Sequence, residues 1–134
     1  MKRVEQPLYY RWLWQLIGAV MILAVITVSL LPSPPQPPVM QWDKLQHLAA
    51  YTVLMLWFGQ LDAGRLRWSG WLIMLGILLE IVQGLSGYRS FEFADMLANP
   101  LGVFIGLGLV RHTPLGRSLA AVDRSLPRPH MTQR

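Results

Sequence analysis

Polar and ionisable side chains at regular spacing interrupt the apolar middle of this chain. They form three groups, Asp43-Lys44-x-x-His47-x-x-x-Tyr51, then Glu80-x-x-Gln83, and finally Arg89 followed by Asp95-x-x-x-Asn99. An imidazole near carboxylates is suited to acid–base chemistry, and the candidate catalytic residues are His47, Glu80 and Asp95. The guanidinium of Arg89 and the ammonium of Lys44 are suited to binding a phosphate or a carboxylate. These residue types predict either a catalytic site or a site that binds an anionic group.

The composition is that of an integral membrane protein. Of the 134 residues, 53% are hydrophobic and 14% are charged. Four apolar segments, at 13–31, 45–61, 68–85 and 93–110, each approach the ~17–25 residues that a spanning helix needs. The first segment exceeds the usual ~7–15-residue apolar stretch of a cleavable signal peptide, so a retained helix is favoured. The sequence therefore predicts an all-α, four-helix transmembrane bundle.

Basic residues are distributed asymmetrically around these segments. Ten of the 12 Lys and Arg residues precede the first segment, separate the second from the third, or follow the fourth. Because cytoplasmic loops hold the excess of Lys and Arg, both termini are predicted to be cytoplasmic. The chain then divides into a cytoplasmic segment at 1–12, a transmembrane domain at 13–110 and a basic, flexible cytoplasmic tail at 111–134. Tryptophans near the predicted boundaries, such as Trp14, are typical of interfacial anchors.

This topology places the polar groups at the outer ends of the second, third and fourth helices. Residues three and four apart share a helix face, and each group follows that spacing. In the fourth helix, Ala98, Gly102 and Gly106 predict close helix packing. Pro100 either interrupts that helix or follows Asn99 as its cap. One outer-leaflet ligand site is predicted, formed by Asp43, Lys44, His47, Tyr51, Glu80, Gln83, Arg89, Asp95 and Asn99.

Each polar residue also has a structural interpretation. Asp43 and Lys44 are typical of a helix cap and a snorkelling lysine, and the whole set is compatible with a network that only packs helices. Glu80 is harder to explain in that way, because a carboxylate inside a spanning helix needs a partner. A metal held by His47, Glu80 and Asp95 has no dedicated spacing behind it, and the chain has no cysteine. The sequence predicts no metal and no cofactor.

As an ordered set, these spacings resemble those of the VanZ-like membrane proteins. The resemblance covers about residues 40–110 and rests on Asp43-Lys44-x-x-His47-x-x-x-Tyr51, Glu80-x-x-Gln83, Arg89 and Asp95-x-x-x-Asn99-x-x-Gly102-x-x-x-Gly106. It implies a small multi-pass protein of the bacterial cytoplasmic membrane. The family's namesake is associated with resistance to teicoplanin, a lipidated glycopeptide antibiotic. The resemblance implies neither an established reaction nor a known ligand.

Three classes of function follow from these observations. In the first, the outer site binds an amphiphile, either an envelope lipid or a lipidated glycopeptide. In the second, the chain is an enzyme that acts on a lipid-linked envelope substrate by acid–base chemistry. In the third, it is a structural assembly subunit. Membrane lipids are the expected partners in each case. Nucleic acid is not, because the basic residues behind the +5 net charge lie on short flanks that suit anionic lipid.

Overall fold

The computed structural model describes residues 7–32, 42–87 and 93–128, apart from the Trp42 side chain. Within these ranges every regular element is helical, which confirms the predicted all-α fold. The elements are α1 (Arg11–Leu30), α2 (Trp42–Leu61), α3 (Arg65–Leu85), α4 (Phe93–His112), a 3₁₀ turn (Pro114–Arg117) and α5 (Ser118–Ser125).

Three of the four long helices, α1, α3 and α4, are long and apolar enough to cross a membrane. The remaining one, α2, has a similar length but is less apolar, because Asp43, Lys44 and His47 lie in its first two turns. Large apolar side chains such as Leu23, Leu78 and Phe104 point outward from the spanning candidates. Large exposed apolar side chains in such number are unusual for a soluble protein, so this outer face is suited to lipid.

Successive long helices run antiparallel. At one end of the bundle, the Arg11 guanidinium at the start of α1 lies 3.7 Å from the Asp62 carboxylate just after α2. At the other end, the Lys44 ammonium in the first turn of α2 lies 3.5 Å from the Asp95 carboxylate in the first turn of α4. We call these the basic end and the polar end.

The pairing of α2 with α4 is the most extensive in the bundle. A Cβ added at Gly106 would lie 2.6 Å from the carbonyl oxygen of Thr52, and one added at Gly102 would meet the carbonyl oxygen of Leu48. The Thr52 hydroxyl lies 2.8 Å from the Leu48 carbonyl oxygen and 3.1 Å from that of Gly102. Ala98 is also buried in α4. This close approach brings the first turns of the two helices together at the polar end.

Three local features differ from the sequence interpretation. Pro100 lies inside α4, so the helix continues through the proline and Asn99 is an interior residue instead of a cap. The segment predicted to be a flexible tail contains α5, in which Leu119 and Asp123 are buried. Trp14 is buried inside the protein, where its indole N–H donates to the Asp123 carboxylate at 2.6 Å.

The Asp123 carboxylate attaches α5 to the start of α1. It accepts hydrogen bonds from the backbone N–H groups of Tyr9 at 2.7 Å and Tyr10 at 2.9 Å, besides that from Trp14. Burial by itself raises the pKa of Asp123, but these hydrogen bonds and the nearby Arg128 guanidinium outweigh burial and bring the pKa below its ordinary value. Both ends of the described chain therefore meet at the basic end.

Candidate functional site

At the polar end, the His47 side chain contacts one residue of α4 and one residue of its own helix, α2. Its Nδ1 lies 3.0 Å from Asn99 Oδ1, and both side chains are buried. Because an amide oxygen only accepts hydrogen bonds, Nδ1 carries a proton and donates it. Its Nε2 lies 3.8 Å from Asp43 Oδ1, one turn earlier in α2. The imidazole thus has one fixed nitrogen and one nitrogen turned toward a carboxylate.

A second polar contact joins the same two helices. Lys44 Nζ lies 3.5 Å from Asp95 Oδ1, and the Asp95 side chain is far more buried than that of Lys44. Asp95 and Asn99 are four residues apart and therefore share one face of α4. That face meets the first two turns of α2 twice, through Asp95 and through Asn99.

The Asn99 side chain packs directly against the backbone of α3, because the α3 residue opposite it is a glycine, Gly76. A Cβ added at Gly76 would lie 2.8 Å from Asn99 Cβ and 2.9 Å from Asn99 Nδ2. The α3 backbone therefore approaches the amide directly and restricts its rotation. Gly76 was not among the predicted site residues. Its spacing to Glu80 and Gln83, at i, i+4 and i+7, is the signal that could have identified it.

Glu80 and Tyr51 lie deeper in the bundle, with exposed fractions of 2% and 1%. The Glu80 carboxylate acts electrostatically on the Tyr51 phenol. The Tyr51 hydroxyl has no hydrogen-bond partner among the residues that the structure describes. Gln83 is also buried, but its Nε2 donates to the Ser29 carbonyl oxygen at 2.7 Å and so joins α3 to α1.

A cavity of about 340 Å³ lies beside these residues, between α1 and the first half of α2. Its α1 wall is largely apolar, whereas its α2 wall is largely polar. It is lined by Ala24, Val25, Val28 and Ser29 of α1 and by Asp43, Gln46, His47, Ala50 and Tyr51 of α2. Gln46 was not predicted, although it follows Asp43 by three residues on the same helix face. The volume falls in the range of about 300–1,000 Å³ that is usual for small-molecule pockets.

Five of the predicted ligand-binding residues meet at the polar end, namely Asp43, Lys44, His47, Asp95 and Asn99. Tyr51 lines the same cavity as His47 deeper in the bundle, and Glu80 acts on Tyr51. We call these seven residues the polar cluster. Gln83 lies between α3 and α1 instead. Arg89 lies outside the described residues, so its role stays a prediction. Chemically, the cluster offers an imidazole nitrogen for proton transfer, an ammonium for an anion and carboxylates for a cation.

Comparisons with protein families, curated proteins and solved structures gave no match for this chain. The VanZ-like resemblance therefore rests on the residues that carry it.

Proposed function

We propose that this chain is a four-span, VanZ-like protein of the bacterial cytoplasmic membrane, and that the cavity beside its polar cluster binds an amphiphile. In this proposal α2 is the second span and both termini are cytoplasmic. The parallel packing of α2 against α4, with the antiparallel α3 between them in the chain, supports the fourth span. The ten-to-two distribution of basic residues supports the orientation. The polar cluster then lies toward the outer leaflet.

The observation that carries the proposed function is the two-sided cavity with Tyr51, whose buried hydroxyl has no hydrogen-bond partner among the described residues, in its lining. Val25 and Val28 on one side offer contact for hydrocarbon, while Asp43 and His47 on the other offer polar contacts. A buried hydroxyl without a hydrogen bond costs about 1–3 kcal/mol. A ligand whose head group reaches Tyr51 would supply that missing bond. An amphiphile, such as an envelope lipid or a lipidated glycopeptide, has both the apolar and the polar part that the cavity requires.

Different residues would contact the anionic group and the acyl part of such a ligand. The Lys44 ammonium is partly exposed at the polar end and can meet an anionic group there. The sequence predicts the same task for Arg89, whose planar guanidinium suits a phosphate or carboxylate. The acyl part would follow the apolar wall formed by α1 toward the surrounding lipid.

The Tyr51→Phe variant tests this function. It removes one hydroxyl that has no partner among the described residues, so it should raise the free energy of unfolding by about 1 kcal/mol or more. The same change should weaken amphiphile binding about five- to tenfold, which corresponds to the loss of one hydrogen bond of about 1 kcal/mol. Tyr9→Phe, at an exposed tyrosine of the basic end, is the matched control and should change neither quantity.

Binding can be measured by native mass spectrometry of the purified chain titrated with phosphatidylglycerol, phosphatidylethanolamine or teicoplanin. Unfolding is followed on the same samples by circular dichroism. A destabilised Tyr51→Phe variant that binds as the wild type does would instead favour a polar cluster that only packs helices.

The geometry of His47 supports a second candidate function, an enzyme acting on a lipid-linked envelope substrate. Its Nδ1 is fixed by Asn99, and the residue lines the cavity with Asp43 beside Nε2. This arrangement is suited to a general base. His47→Gln should then abolish conversion of an extracted envelope lipid while leaving its binding in place. Equal conversion by wild type and variant would remove this candidate.

A further inference from the structure

Three potential metal ligands meet where α2 and α4 begin. One ligand atom each from Asp43, His47 and Asp95 lies within 4.8 Å of the other two. Ligands at about 2.1 Å from a tetrahedral metal are about 3.4 Å apart, so the group needs only a small contraction to close on an ion. The separation of 3.8 Å between His47 Nε2 and Asp43 Oδ1 is already near that value.

The orientation of His47 is the one that a metal-binding histidine requires. Its Nδ1–H is directed to Asn99 Oδ1 at 3.0 Å, which leaves the Nε2 lone pair toward Asp43. Histidine ligands almost always donate their second ring N–H to an oxygen acceptor, which fixes the tautomer and the ring plane. Asn99 is 1% exposed and is itself held by α3 at Gly76, so this support is rigid.

An independent observation also indicates that something binds here. Asp43 and His47 line the same cavity as Tyr51, whose buried hydroxyl has no hydrogen-bond partner among the described residues. Three protein ligands with a fourth position left open form the usual arrangement of a zinc ion that acts on a ligand. An ion at this place would be reachable from the cavity.

We propose that Asp43, His47 and Asp95 bind one divalent transition-metal ion of the Zn²⁺ or Mn²⁺ type. A nitrogen ligand beside two carboxylates suits these ions better than Mg²⁺ or Ca²⁺, which favour oxygen ligands alone. Together, the two carboxylates and the Lys44 ammonium carry one negative charge. A divalent ion reverses that sign, so the loaded site would attract an anionic head group. That last step rests on the proposed function, whereas metal binding itself does not.

Lys44 competes with the metal in this scheme. Its ammonium lies 3.5 Å from Asp95 Oδ1, so the ion must share that carboxylate with it or displace it. Lys44→Met should therefore raise the affinity for the metal, whereas Asp43→Asn and Asp95→Asn should lower it. An effect of this sign is not expected if Lys44 and Asp95 form only a structural ion pair.

The test uses the full-length chain, purified through a tag without histidine, stripped with a chelator and titrated calorimetrically with Zn²⁺ or Mn²⁺ alone. We expect one ion per chain, with Mg²⁺ and Ca²⁺ failing to compete. His47→Gln should lower the affinity at least tenfold, and Asn99→Ala should lower it about 10–100-fold, as for other outer-sphere partners of a metal-bound histidine. His112→Gln, at the exposed far end of α4, is the matched control and should bind as the wild type does.

Pulsed electron paramagnetic resonance of the Mn²⁺-loaded wild type adds a readout that needs no variant, because coupling to an imidazole nitrogen reports the histidine ligand directly. Circular dichroism of each variant checks that it is folded. The proposal is overturned if the wild type binds no ion at micromolar concentration, or if folded His47→Gln binds with unchanged affinity. Unchanged or weaker binding by Lys44→Met would remove Asp95 from the ligand set.

Discussion

Replacement of Gly106 by alanine tests how strictly the contact between α2 and α4 holds the polar cluster. An added Cβ would lie 2.6 Å from the Thr52 carbonyl oxygen and 2.7 Å from Met55 Cβ. Ordinary van der Waals contact begins at 3.4 Å, so the helices must separate by about 0.8 Å. Neither neighbour can avoid the new methyl group by rotating a side chain, because one is backbone and the other is a Cβ of a buried residue.

The expected loss of stability has two parts. Forcing a methyl group into a packed interface costs about 1–3 kcal/mol. A separation of about 0.8 Å would lengthen the Thr52 Oγ1 to Gly102 oxygen distance from 3.1 Å beyond hydrogen-bonding range, and it would strain the His47–Asn99 contact. Interhelical hydrogen bonds in membranes are worth about 0.6 kcal/mol each, which brings the total to about 2–4 kcal/mol.

Gly108→Ala is the matched control, because it lies in the same helix and an added Cβ there has no neighbour within 4 Å in the part of the chain that the structure describes. Both variants can be unfolded by titration with a denaturing detergent and followed by far-ultraviolet circular dichroism. We expect Gly108→Ala to match or exceed the wild type, since alanine favours helix over glycine by about 1 kcal/mol. Equal stability of Gly106→Ala and Gly108→Ala would refute the close-packing argument.

Two further predictions concern the basic end and the topology. Asp123→Asn should lower the free energy of unfolding near neutral pH by about 2 kcal/mol. The substitution replaces a charged acceptor with a neutral one, and hydrogen bonds to a neutral acceptor are weaker. The wild type should lose this advantage as the pH falls through the lowered pKa of Asp123, because stability from a depressed carboxyl pKa is present above the ordinary value of 3.8 and vanishes on protonation. Unfolding of both proteins measured between pH 7 and pH 2 tests this prediction. A difference in the free energy of unfolding between variant and wild type that persists at the lowest pH would contradict it. In this cysteine-free chain, cysteines placed at Ser33 and Ser90 should react with an impermeant reagent from outside, and those at Gly64 and Arg134 only after the membrane is opened. Labelling of position 90 from the cytoplasm alone would overturn the proposed orientation.

The long helices follow from apolar runs of suitable length, but their ends do not. Three helices begin before the predicted apolar segments do, at Arg11, Trp42 and Arg65. Hydropathy identifies the part of a helix that lipid can cover, whereas backbone hydrogen bonding continues into charged turns that face water or protein. Pro100 illustrates the same limit, because a proline inside α4 is tolerated where neighbouring helices surround it.

The common location of the polar residues was predictable, while their pairings were not. Alternating helix directions bring the starts of α2 and α4 to one end, and this places Lys44, His47, Asp95 and Asn99 together. Which side chain meets which depends on how far each helix is rotated about its axis. The periodicity of a single helix does not contain that information, since it defines a face only relative to the same helix.

Contacts to backbone groups escaped prediction altogether. Gln83 bonds to the Ser29 carbonyl oxygen, and Asp123 accepts from the backbone N–H groups of Tyr9 and Tyr10. Every residue carries such backbone groups, so no residue type in the sequence marks the partner. The short helix α5 has a similar origin, because its position depends on the contact between Asp123 and the start of α1.

An experimental structure of the full chain, purified with native lipid in a nanodisc, tests the proposed function most directly. We predict density for an amphiphile in the cavity between α1 and α2, with a polar atom about 2.6–3.0 Å from the Tyr51 hydroxyl, as an O–H hydrogen bond requires. Its hydrocarbon part should follow Val25 and Val28. A cavity closed by side chains of the protein, with the Tyr51 hydroxyl bonded to Glu80 and no lipid beside it, would contradict the account.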